Sequence, residues 1–148
     1  MRNSTSIAAI VSALVLGAAL GHVATAHSAA SVQESELFEW KDLSAKPTDV
    51  GAFRFIMRSK TATLNELEMH ATTLNPGQSS HAPHKHPNEE LVIISAGTIE
   101  AMSNGKTRTL GPGSIIFNAS NQMHAVRNVG KEPATYHVIN WTSEKTPK

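Results

Sequence analysis

Between residues 53 and 141 the chain is built of short alternating runs, separated by turn residues roughly every 8–12 positions. Phe53-Arg54-Phe55-Ile56-Met57 is strand-like. Leu67, Met69, Ala71 and Thr73 then alternate with Glu68, His70 and Thr72, and Asn75-Pro76-Gly77 ends that run. Residues 91–94 are apolar and close at Ala96-Gly97. Residues 98–102 and 107–110 flank Asn104-Gly105, a pair suited to the positive φ angles that a type I′ hairpin turn needs at both central positions. After Gly111-Pro112-Gly113, Ile115-Ile116-Phe117 reads as a buried strand, and residues 124–129 and 134–141 complete the series. Alternation with period two puts successive side chains on opposite faces of a strand. No helical stripe follows the first 26 residues. Many short strands of this kind predict an all-β barrel or sandwich.

The first residues have a different character. Arg2 precedes a mostly apolar, small-residue-rich stretch over 7–20, and Ala24-Thr25-Ala26 fits an A-x-A cleavage site. Residues 1–26 are therefore expected to be a secretory signal peptide, and the mature chain to be periplasmic or secreted, with no membrane association after cleavage. Residues 27–60 read as an N-terminal arm and first strands, anchored by Leu37, Phe38 and Trp40. Residues 61–142 read as the barrel and 143–148 as a C-terminal tail.

Charge and cysteine content narrow the options. Arg2 is the only charged residue in the first 26, so the 13 basic residues fall to 12 on cleavage and match the 12 acidic ones. A near-neutral chain with no basic stripe gives no footprint for nucleic acid. Cysteine is absent, so no disulfide supports the fold even in an oxidising compartment.

The densest chemistry lies in HAPHKHPNEELVIISAG, residues 81–97. Taken as a strand, His84-Lys85-His86 puts both imidazoles on one face. Pro87-Asn88 favours a bend, after which Glu90 can return to the same pocket. Glu90, Val92 and Ile94 share one face, and Glu89, Leu91 and Ile93 the other, so only one of the two glutamates joins the histidines easily. Imidazole and carboxylate together suit a borderline divalent transition metal such as Mn, Fe, Zn, Ni or Cu. A further donor must come from elsewhere, and His124 is the best candidate. A loosely binding, solvated His-rich loop is the alternative for this segment. His81 is expected at the pocket mouth or in solvent. Asn128 reads as a turn or supporting residue, and Tyr136 and Trp141 as packing. His70 and His137 lie in strand-like runs, and either becomes a candidate catalytic base if its ring faces the interior.

These residues resemble the two short motifs of the cupin superfamily. The first runs glycine, H-x-H, E, G, and is matched by Gly77, His84-Lys85-His86, Glu90 and Gly97, with one extra residue between Gly77 and His84. The second is matched by the Pro112-Gly113 turn and by His124 and Asn128 at H-x₃-N spacing. Here the turn is Gly-Pro-Gly, and the usual proline before the histidine is missing. The resemblance implies a double-stranded β-helix (jelly-roll) barrel with His84, His86, Glu90 and His124 as metal ligands. It also implies open coordination positions for a small oxygen-rich substrate, and dioxygenase, isomerase, decarboxylase or lyase chemistry. A non-catalytic small-molecule-binding or sensor barrel is the alternative. Relatives of this kind are commonly dimers, so a homodimer is a further expectation.

Overall fold

The computed structural model describes residues 31–148. The expected signal segment lies outside the described residues. The arm crosses the surface, anchored by a Gln33 N–H donating to the Lys60 carbonyl at 2.8 Å. It ends in a single 3₁₀ turn, Trp40–Asp42. Nine strands follow: β1 Lys46–Thr48, β2 Gly51–Ser59, β3 Glu66–Leu74, β4 Glu89–Ala96, β5 Ile99–Ser103, β6 Lys106–Leu110, β7 Ile115–Asn118, β8 His124–Asn128 and β9 Ala134–Thr142. All pairings are antiparallel. Six strands form one sheet in the order β1-β2-β3-β9-β4-β7, and three form the other as β6-β5-β8.

The turn chemistry follows from the residues. Asn104 (φ 48°) and Gly105 (φ 74°) both adopt the left-handed conformation that joins β5 to β6. Gly97 sits at φ 81°, and a Cβ there would come within 2.5 Å of the Ala134 side chain. Only glycine permits that close approach of β4 to β9.

The core lies between the inner faces of the sheets. Leu74, Ile94, Ile99 and Ala134 are essentially buried, with Val92, Ala101, Ile116, Tyr136 and Val138 packed around them. One strand departs from expectation. β7 is an edge strand, not a buried one: Ile116 and Asn118 point inward, while Ile115 and Phe117 are 63% and 53% exposed.

Candidate metal centre

The site forms where the segment before β4 folds back onto β8. His84 and His124 make a reciprocal main-chain pair, His84 N–H to the His124 carbonyl at 3.1 Å and the reverse at 2.9 Å. Directly opposed residues project to the same side, and the two rings lie 4.3 Å apart between centroids. Residues 84–86 are not a continuous strand, contrary to the sequence reading. Only His84 forms a bridge, because Pro87 follows closely and the chain turns toward β4. His86 is held by an Asn121 N–H donating to its carbonyl at 2.8 Å, and its ring centre lies 4.8 Å from that of His124.

Ring nitrogens of His84, His86 and His124 all lie within 4.8 Å of one another. Two of the rings are oriented from behind. His86 Nδ1 lies 3.0 Å from the Asn88 carbonyl, and His124 Nδ1 lies 2.9 Å from the Gln122 carbonyl. A carbonyl only accepts, so each Nδ1 carries the proton and each Nε2 keeps its lone pair. Supporting contacts of this kind orient imidazole ligands toward a metal. His124 Nε2 and His84 Nδ1 are buried with no hydrogen-bond partner.

Glu90 completes the group. Its carboxylate oxygens lie 3.6 Å from His86 Nε2 and 3.8 Å from His124 Nε2. Asn118, paired in register with Glu90 across β4 and β7, donates its amide to Oε1 at 2.9 Å. Asn118 Oδ1 in turn accepts from the Ser103 hydroxyl at 2.9 Å. The chain therefore brings His84, His86, Glu90 and His124 together, and their donor set fits a divalent ion. Two nitrogens each ~2.1 Å from one ion lie at most ~4.2 Å apart, so small ring adjustments bring all four donors into bonding range.

The remaining sequence candidates divide. His70 lines the cavity that opens beside the four donors, with its Nδ1 3.2 Å from Glu68 Oε1. Burial pushes its pKa below the ordinary value of 6.5, and Glu68 only partly opposes that. His137 does not line the cavity. It points to the outer face of the sheet, where its ring lies 5.5 Å from Trp40, and Trp40 also carries Arg54 at 4.5 Å. The cause is strand parity: its neighbours Tyr136 and Val138 face inward. His81 is exposed at the mouth, its ring edge-on to His84 at 4.0 Å. The His84 pKa is lowered by burial and then by the neighbouring histidines.

Asn118, the Gln122 and Asn88 carbonyls, and Tyr136 were not singled out as site residues from sequence. Asn118 becomes visible only through its register with Glu90, and the carbonyls carry no side-chain signal. Tyr136 read as packing. It is nearly buried in the core and also borders the cavity.

With this geometry in place, the chain can be set against known proteins. A model of the cupin domain matches residues 70–140. The RmlC-like cupin of Shewanella frigidimarina superposes with a TM-score of 0.62 at 10% identity, covering 78% of this chain and 97% of that one. A predicted oxalate decarboxylase from Thermotoga maritima gives 0.59 at 17% identity, over 72% and 99% of the two chains. KdgF from Halomonas gives 0.59 at 14% identity, over 77% and 100%. A search of curated proteins gave no match. The fold is an all-β double-stranded β-helix barrel, and residues 70–140 of the chain match the cupin domain.

Proposed function

We propose that this protein is an exported, metal-dependent cupin enzyme acting on a small oxygen-bearing substrate. His84, His86, Glu90 and His124 hold the ion, and His70 moves a proton. The observation that carries the reading is the convergence of three imidazoles and a carboxylate, two of whose buried ring nitrogens have no partner. Unpartnered buried polar atoms are costly, and a cation beside Glu90 would satisfy His124 Nε2. A divalent ion there would polarise a substrate oxygen and stabilise negative charge developing on it.

The chain's own residues supply the rest. Glu68 accepts from His70 Nδ1–H, which leaves Nε2 as the basic nitrogen. Burial keeps that ring neutral near pH 7, the state a general base requires. Asn118 fixes the Glu90 carboxylate in rotation. Val92 and Val138 line the same wall and restrict water around the reacting atoms. A second titratable group on the cavity wall favours catalysis over simple binding, although some barrels of this type only bind.

A second copy of the chain is the proposed partner. β7 ends the six-stranded sheet, and its Ile115 and Phe117 project into solvent. Unprotected apolar edges of this sort favour pairing.

The test is elemental analysis of mature protein from the native compartment, beside His84→Ala and His124→Ala. The wild type should carry about one divalent ion per chain, and each variant should lose it. Equal metal in all three would remove the site.

A further inference from the structure

The cavity beside the four donors, about 340 Å³ in volume, is asymmetric. At one end stand the histidines and Glu90. The body is walled by Val50, Phe53, Val92, Val126 and Val138. Four hydroxyl side chains also line it, Thr48, Thr72, Ser80 and Tyr136, and of these Thr72 and Ser80 neighbour Tyr136. Thr72 and Tyr136 are direct cross-strand partners on β3 and β9, so they share the inner face. Ser80 is placed by its neighbour Ser79, which bridges to Arg127 on β8. The Ser80 and Thr72 hydroxyls come close enough to Tyr136 to offset part of the rise that burial causes in its pKa, yet Ser80 Oγ is buried and meets no partner in hydrogen-bonding geometry.

Two features of this wall define what it can take. The first is charge. Among the described residues, no lysine or arginine lines the cavity. Arg54 lies under Trp40, Arg58 pairs with Glu66 at 2.8 Å, and Arg127 donates to the Gly77 carbonyl. A carboxylate or phosphate at the hydroxyl end would be desolvated with no cation to meet it, which is strongly unfavourable. The second is length. Glu90 is in register with Asn140, and Tyr136 lies four residues further along β9. At about 3.3 Å per residue, those rungs are about 13 Å apart along the strand. A ligand that contacts both ends must span that length less the reach of the side chains.

We propose that Thr72, Ser80 and Tyr136 form a hydroxyl-recognition subsite, and that the ligand is uncharged at the end that reaches it. It offers adjacent oxygens toward the histidine end and a hydroxyl or carbonyl toward the subsite. This rests on the metal-centre reading given above. It makes dicarboxylates and sugar phosphates poor ligands, whatever the relatives of this fold accept.

A matched pair of probes tests it. Metal-loaded mature protein is titrated calorimetrically with 3,4-dihydroxybenzyl alcohol and with 3,4-dihydroxybenzoate, which differ in charge only at the end remote from the vicinal oxygens. The alcohol should bind at least about tenfold more tightly than the carboxylate, and Ser80→Ala and Tyr136→Phe should each weaken it about three- to tenfold, the range for one neutral hydrogen bond. Metal content measured in the same samples should not change. Equal or tighter binding of the carboxylate, no binding of the alcohol, or full insensitivity to both substitutions at full metal occupancy would overturn the subsite. Absent metal, with alcohol binding still sensitive to far-end charge and to Tyr136→Phe, would overturn the metal reading and leave the subsite standing.

Discussion

Asn128 gives the sharpest test of how the barrel is held closed. It is completely buried. Its Nδ2 donates to the Leu74 carbonyl at 3.0 Å and the Glu132 carbonyl at 2.8 Å, and its Oδ1 accepts from the Gly130 N–H at 2.9 Å. One side chain therefore ties the end of β3 to the loop between β8 and β9. Asn128→Ala removes all three bonds. Leu74 is itself fully buried, so water cannot readily replace the lost donor there, and that carbonyl carries a penalty of about 2 kcal/mol. Glu132 is exposed and Gly130 partly so, and those two bonds count about 1 kcal/mol each. The expected loss is about 4 kcal/mol, a large share of the roughly 5–15 kcal/mol that holds a typical domain together. It corresponds to a fall in Tm of about 15 °C. Asn128→Asp should do no better, because it keeps the acceptor for Gly130 but turns a carboxylate against two carbonyls. The assay is urea unfolding followed by tryptophan fluorescence, with chelator present so that metal does not contribute. A loss below about 1 kcal/mol in Asn128→Ala would refute the latch.

Three further outcomes are expected. The folded-state pKa of His70 lies below its ordinary 6.5, so the unfolded chain takes up a proton first. The contribution of neutral His70 is complete above about pH 6.5 and is lost as pH falls toward the lower folded value. His70→Gln should flatten the stability profile of chelated protein over that window, and an unchanged profile would exclude His70 as its source. His137→Ala should leave metal content and probe binding intact and lower stability by about 1 kcal/mol through loss of the Trp40 contact; a loss of metal would place His137 in the site after all. Light scattering of the mature chain should give a dimer, and Phe117→Lys should shift it to monomer; a wild-type monomer at tens of micromolar would end the edge-pairing proposal.

Much of this architecture was legible before the structure. Asn104-Gly105 announced its turn through the positive φ both residues adopt. The spacing of His84, His86, Glu90 and His124 anticipated the group that the fold brings together. Other features were not readable from local pattern. Ile115-Ile116-Phe117 looks buried because it is apolar, yet burial there depends on which neighbour strand is present, and β7 has only β4. His70 and His137 sit in equally strand-like runs, and only the pairing of His70 with Val138 and of Ala71 with His137 assigns them to opposite faces.

β3 shows why parity was hard to read. Its more apolar set, Leu67, Met69 and Ala71, faces out, while Glu68, His70 and Thr72 face in, the reverse of an ordinary half-buried strand. Register across the sheet explains the inversion. Glu68, Asn140, Glu90 and Asn118 align as one inward rung, and His70, Val138, Val92 and Ile116 form the next. Thr72, Tyr136 and Ile94 follow, and Leu74 with Ala134 ends the series. The rungs run from carboxylates and carboxamides, through the hydroxyls of Thr72 and Tyr136, to an apolar floor at Leu74 and Ala134. A barrel that spends one end of its interior on ligand chemistry forfeits apolar burial there. The outer face then carries part of the load: Met57 and Ala71 are buried on that side, and Trp40 of the arm packs over Arg54 and His137. The arm thus belongs to the stability of the site-bearing half, and the outward Ile115 and Phe117 extend the same apolar face to the sheet edge where a second copy would complete it.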